Sequence, residues 1–369
     1  MSHLLATSPQ DDGFRMPGEF EPHSKTWMLW PERRDTWRER SKPAQEAFGE
    51  VARAISQFEP VTIGVNQTQY GNARSMIPAH IQVVEIPNND SWMRDCGPTF
   101  VTNGSGQVRG VDWDFNAWGG LESGLYYPWD LDDAVPQKIL EMEEMDRYKA
   151  PIVLEGGSIH VDGEGTLITT EECLLNPNRN PGFSKREIEN VLMKYLNISK
   201  IIWLGVGVFS DETSGHVDNL CCFLSPGVVA LTWTNDKNDP QYGISQDAYH
   251  RLELAQDASG RKLEIHKLLQ PDPVIITKEE AMGVDIVVGT KPRTAGDRMA
   301  ASYVNFYICN GGAIVPTFND PHDKRALDKL QGLMPDRKIV GVPAREILLG
   351  GGNIHCITQQ QPTGKSWDL

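Results

Sequence analysis

The sequence predicts a mixed α/β protein assembled as a closed array of similar units, and three observations predict it. Glycine-rich turns recur five times, each adjoining a short apolar strand. A further strand-like run precedes each turn, and amphipathic helical stretches lie between them. In such an array the turns converge on a central axis, so the residues they carry are the first place to look for chemistry.

Taken in order, the turns are "RDCGPTFV" (94–101), "LEGGSIHVD" (154–162), "SGHVDNLCCF" (214–223), "YICNGGAIVP" (307–316) and "GGGNIHCITQ" (350–359). The runs outside them include "VTIGV", "IQVVEIP" ahead of Trp92, "KIIWLGVGVF" ahead of the histidine turn and "RKIVGVP" ahead of the last turn. Helices are expected at 43–58, 185–197 and 323–334, with Pro43 suited to a first helical turn. Two turns match closely. "GGSIH" (156–160) and "GGNIH" (351–355) differ at one position, which sets Val161 where Cys356 stands. The "GEG" and "GVG" segments at 163–165 and 205–207 lack the strand, G-x-G-x-x-G and helix context of a nucleotide-binding loop.

A chain of 369 residues, 39% hydrophobic and 23% charged, has ordinary globular composition. No Ser/Gly/Pro-rich linker or charge run divides it, so one domain spanning 1–369 is expected. The net charge of −15, from 35 basic and 50 acidic residues, disfavours nucleic acid or an anionic membrane as partner and favours a small cation. The opening residues lack the basic and apolar regions of a signal peptide, and no segment approaches the length of a membrane span. A cytoplasmic protein with six reduced cysteines is the expectation.

Metal binding is not expected: there is no C-x-x-C or H-E-x-x-H, and adjacent Cys221 and Cys222 on a strand would face opposite ways. Cysteine with histidine also serves nucleophilic catalysis. Read as extended chain, "NIHC" turns His355 away from Cys356, whereas His216 and Asp218, two apart, share a face. Asp95 and Glu155 sit at corresponding turns. Any one of Asp95, Glu155 or Asp218 alone is better explained by a structural salt bridge or a turn cap. Together with His216 and Cys356 they suit a planar, permanently charged guanidinium, which paired carboxylates hold while its carbon meets the sulfur. Trp92 and Trp118 could stack on such a cation.

Nearly end to end, through "DGFRMPGEFEPH", "TWMLWPER", "DSWMRDCGPTFV", "DWDFNAWGG", "LEGGSIHVDGEGT", "ETSGHVDN" and "GGGNIHCITQQQP", the sequence resembles the agmatine deiminase family of the guanidino-group-modifying (pentein) superfamily. The resemblance implies a five-bladed, pseudo-symmetric α/β propeller of ββαβ repeats. It implies Cys356 as nucleophile, His216 as general acid/base, Asp95 and Asp218 as guanidinium clamps, and Glu155 orienting His216. Trp92 and Trp118 would enclose the substrate, and Glu212 would face the far amine of agmatine. The implied reaction is hydrolysis of agmatine to N-carbamoylputrescine through a cysteine thiouronium, in polyamine metabolism, without cofactor or metal, by a homo-oligomer (dimer or tetramer). Two alternatives stay open: an arginine or peptidylarginine deiminase with the same chemistry, and a non-catalytic binding module on the same fold.

Overall fold

Two parallel neighbours in a sheet need a crossover between them, usually a helix, and the helical stretches of this sequence are such crossovers. The computed structural model describes residues 2–363, so the expected domain 1–369 runs past the described residues at both ends. The helices expected at 43–58, 185–197 and 323–334 form as Lys42–Ile55, Lys185–Leu196 and Asp323–Leu333. In the first, Pro43 lies in the opening turn, and Ala44, Phe48, Val51, Ala52 and Ile55 make one buried face. The second begins with a capping box from Ser184 and Glu187 and ends at Asn197 in the left-handed region. Two longer crossover helices, Val135–Met142 and Gln241–Leu254, and a short one, Tyr70–Met76, also join parallel neighbours. Gln241–Leu254 gives little periodic signal because its buried face includes Gln241 and Ser245 beside Ala248 and Leu252.

Among the described residues the strands form five small sheets, of four, three, three, three and four strands. Each contains an antiparallel pair followed by a parallel one. In one, Cys221–Ser225 pairs antiparallel with Val228–Trp233, which pairs parallel with Glu264–Leu269 across the helix Gln241–Leu254. One sheet joins distant parts of the chain: Gln359–Pro362 pairs antiparallel with His23–Leu29, which pairs parallel with Val61–Val65. The apolar core is buried between the sheets and their helices.

Short helical turns lead into four of the five antiparallel pairs: Met93–Cys96, Gly156–Ser158, Val217–Asn219 and His355–Ile357. These turns pack on one another in series, and a hydrogen bond between His355 and Asp218 links the last to the third. This corrects two expectations. The chain around His355 is not extended; it turns helically before the strand Gln359–Pro362. In the fourth sheet, the glycines of "YICNGGAIVP" make the hairpin between Tyr307–Cys309 and Gly312–Thr317. The opposite end of Tyr307–Cys309 carries Asn305, which reaches Cys356. Glycine content drew attention to a tight hairpin, where any sheet needs it, and not to the functional end.

Candidate active site

The close approach of four turns depends on positions that carry no side chain. A Cβ on Gly157 would lie 2.5 Å from His216 Nδ1 and 2.9 Å from both Asp218 Oδ2 and Asp95 Oδ1, so those three groups meet around this glycine. A Cβ on Gly352 would lie 2.4 Å from the Trp92 ring and 3.1 Å from Cys356 Cβ. Gly157→Ala is therefore expected to lower kcat by about 100-fold by displacing these groups by a fraction of an ångström. Gly182→Ala, with open space around its Cβ, leaves kcat and the melting curve unchanged; steady-state kinetics on both variants provides the check.

Cys356 is buried. Asn305 Nδ2 donates to its Sγ at 3.3 Å, and Sγ lies 3.6 Å from Asp218 Oδ2. Burial pushes the thiol pKa well up, and the Asp218 and Asp95 charges add to that. Asp95 receives the Gly157 N–H at 2.9 Å on Oδ1 and the Trp118 indole N–H at 3.0 Å on Oδ2. Burial pushes its pKa up to about 6, against the pull of His216.

His216 is fully buried, with Nδ1 3.8 Å from Asp95 Oδ1 and Nε2 3.4 Å from Glu155 Oε2. Neither ring nitrogen has a hydrogen-bond partner among the described residues. Burial opposes its charge, but Asp95 and Glu155 hold its pKa well above the ordinary histidine range. Glu155 is itself countered by Arg179, whose Nε donates at 2.6 Å, and the carboxyl stays below its usual range despite burial. Asp218 also stays low despite burial, because His355 Nδ1 lies 2.9 Å from its Oδ2, while Oδ1 has no hydrogen-bond partner among the described residues.

Cys356, Asp95, Trp92 and Trp118 line one cleft. The two indoles meet edge to face with centroids 6.2 Å apart. Trp92 is anchored through its N–H to Asp90 at 2.9 Å and stacks on Trp37. Glu212 does not line this cleft. It pairs with Lys291 at 3.2 Å and with Arg293, and both cations lie on the cleft wall. The structure thus brings seven of the eight sequence-derived residues together and sets Glu212 beside them, already paired.

Sequence reasoning missed Asn305, Arg179, Glu19 and His355. Arg179 and Glu19 stand outside any glycine turn, and Asn305 lies at the unread end of its strand. The extended geometry that turns His355 away from Cys356 is not the one the chain adopts. Two buried clusters with metal-ligand potential occur, Glu19/His160/His355 and Glu155/Cys173/His216, besides the more exposed Asp272/Asp320/His322 away from the cleft. In the first, Glu19 is engaged by Arg94 at 3.4 Å, and in the second Glu155 by Arg179. A guanidinium beside each carboxylate disfavours a cation there.

Comparison with known proteins gives a consistent result. Residues 15–362 match the model of a family described as Porphyromonas-type peptidyl-arginine deiminase. The agmatine deiminase of Pseudomonas aeruginosa (strain LESB58) is 59% identical over 364 residues, 98% of this chain and 99% of its own. The solved structure of the Enterococcus faecalis agmatine deiminase, described as catalysing its reaction, superposes with a TM-score of 0.96 at 54% identity, covering 98% of this chain and 99% of that one. An agmatine deiminase of C. jejuni with a cysteine replaced by serine, solved with substrate bound, gives a TM-score of 0.82 at 26% identity over 95% of this chain and 97% of its own.

Proposed function

The chain belongs to the Porphyromonas-type peptidyl-arginine deiminase family and, within it, to the agmatine deiminases, and from that premise we propose how it hydrolyses agmatine to N-carbamoylputrescine and ammonia. The reaction belongs to polyamine metabolism. The observation that carries the reading is an open acceptor beside the sulfur: Asp218, whose Oδ2 lies 3.6 Å from Cys356 Sγ, has its Oδ1 buried without a hydrogen-bond partner among the described residues. A buried polar atom is costly to leave unpaired, and a guanidinium supplies five N–H donors in one plane.

In this reading Asp95 and Asp218 clamp the guanidinium, and Trp92 and Trp118 enclose it. Its charge offsets the two carboxylates and favours the Cys356 thiolate, the proton passing to solvent. The thiolate attacks the central carbon. Protonated His216 gives its proton to the departing nitrogen, and ammonia leaves a thiouronium on sulfur. Neutral His216, oriented by Glu155, then takes a proton from water, whose oxygen attacks the same carbon. Collapse breaks the C–S bond, the hydroxyl proton passes to solvent, and the ureido product and thiolate are freed. Glu212 receives the far ammonium once Lys291, about half exposed, swings aside.

The five sheets are, in the same reading, blades of a five-bladed ββαβ propeller forming a single catalytic domain. We place the protein in the cytoplasm as a homo-oligomer needing no metal or cofactor. No helix among the described residues is long and apolar enough to cross a membrane. One observation favours free arginine: Lys291 and Arg293 could meet its α-carboxylate. Both are engaged by Glu212, which suits an amine better. Incubation with agmatine, arginine and a peptidylarginine separately, assaying ammonia and the ureido group, is expected to show turnover of agmatine alone; turnover of arginine or the peptide would keep the chemistry and overturn the substrate.

A further inference from the structure

Behind the cysteine runs a line of buried charge that the reaction as described does not use. His355 Nδ1 lies 2.9 Å from Asp218 Oδ2, and its Nε2 lies 2.7 Å from Glu19 Oε2. All three side chains are buried. A neutral imidazole has one N–H and donates at one end only, whereas the imidazolium donates at both. Carboxylates at both ends therefore select the charged ring, and Glu19 and Asp218 hold its pKa up against burial and Arg94.

The surroundings fix this arrangement. The Ile308 N–H donates to Glu19 Oε1 at 2.8 Å, and Arg94 Nη2 lies 3.4 Å from Oε2. Asn305 Oδ1 accepts the His355 backbone N–H at 2.9 Å, and the same side chain donates to Cys356 Sγ. Three further titratable or charged groups face the ring. Arg94 donates from Nε to the His355 carbonyl, and His160 stacks at 6.0 Å, its pKa lowered by burial to about 4 and hence neutral. The third is Cys356, whose Sγ lies 3.6 Å from the Asp218 oxygen that faces His355.

We propose that His355 is a positioning residue: bridging Glu19 and Asp218, it pins Asp218 Oδ2 behind the sulfur, leaves Oδ1 to the incoming guanidinium, and supplies the positive charge that keeps this buried carboxylate ionised. The inference rests on the reading of Asp218 as a guanidinium clamp. Without the imidazolium, Asp218 is a buried acid near Asp95, and desolvation and the like charge both raise its pKa.

The test is the pH dependence of kcat/KM for agmatine in the wild-type protein, Glu19→Gln, His355→Asn and Asp218→Asn, with folding followed by circular dichroism. In the wild type Asp95, at about 6, sets the acid limb because Asp218 titrates lower. Glu19→Gln keeps the shape and an acceptor for the Ile308 N–H, but it removes the anion that keeps His355 charged and turns an NH2 donor towards His355 Nε2. Its acid limb moves up by about one pH unit and steepens towards two protons, with activity recovering at higher pH. His355→Asn gives the same displacement and decides the question should Glu19→Gln fail to fold. A limb that stays in place, whether or not the rate falls uniformly, overturns the proposal. Asp218→Asn separates the two levels: an unchanged KM brings down the clamp and this inference with it, whereas a raised KM beside unmoved limbs removes His355's role alone.

Discussion

Cys356→Ala is expected to lower agmatine turnover by about 10⁴-fold or more, the scale on which removing a nucleophile from a cooperating set acts, while agmatine still binds. The asymmetry follows from the site. Asp95, Asp218, Trp92 and Trp118 contact the cation in the proposed complex, and none depends on the sulfur for its anchoring: Asp95 is held by Gly157 and Trp118, Trp92 by Asp90. Calorimetric titration of the variant with agmatine, beside an ammonia assay, checks both halves. The same variant isolates the thiol in a second measurement. The free Cys356 thiol is held high by burial, Asp218 and Asp95, and a cation placed among those carboxylates lowers its pKa by about 1–3 units. Thiolate absorbance of the wild type, with the variant subtracted to remove the other five cysteines, is expected to appear at lower pH once a non-hydrolysed guanidinium ligand is bound. An unchanged titration would defeat activation by the substrate's charge.

Arg179→Met carries the largest expected cost in stability, about 3–5 kcal/mol, because it strands a buried carboxylate. The Arg179 and Glu155 side chains are fully buried and paired at 2.6 Å. The guanidinium also donates to the carbonyls of Trp118 and Thr213, tying the Glu155 turn to two neighbouring segments. Lysine would not substitute, since one ammonium cannot span these separated acceptors as the planar fork does. Glu155 titrates below its ordinary value in the folded protein, so the stability it shares with Arg179 is present above the unfolded-state pKa and lost as pH falls through the folded one. The difference between wild type and variant in denaturant titrations should accordingly be full at neutral pH and shrink on acidification. A gap constant with pH would assign Arg179 to packing alone.

What the sequence made legible followed from local periodicity. The helices Lys42–Ile55 and Lys185–Leu196 carry regular apolar faces and sit within three residues of the expected limits. Gln241–Leu254 buries polar side chains and left no such trace. Turn residues were read well where glycine allows close approach, as at Gly157 beside His216. The reading failed where glycine only makes a hairpin, as at Gly311, and Asn305 went unseen at the other end of that strand. His355 shows the limit most clearly. An alternating-face argument holds only for extended chain, and His355–Ile357 is a helical turn. Long-range partners such as Arg179 for Glu155, or Lys291 and Arg293 for Glu212, leave no local pattern at all.

The pairing of Gln359–Pro362 with His23–Leu29 has a consequence for the order of assembly. Trp27 and Gln361, hydrogen-bonded across it, are 334 residues apart in sequence. Contacts at such separation form late and slowly, since the loop-closure cost precedes any gain from pairing. Cys356 lies just ahead of that strand. A chain still being synthesised therefore lacks both the sulfur and His355, which holds Asp218 from the neighbouring position. The pairing that ties the end of the described chain to its beginning thus also sets the last members of the catalytic group.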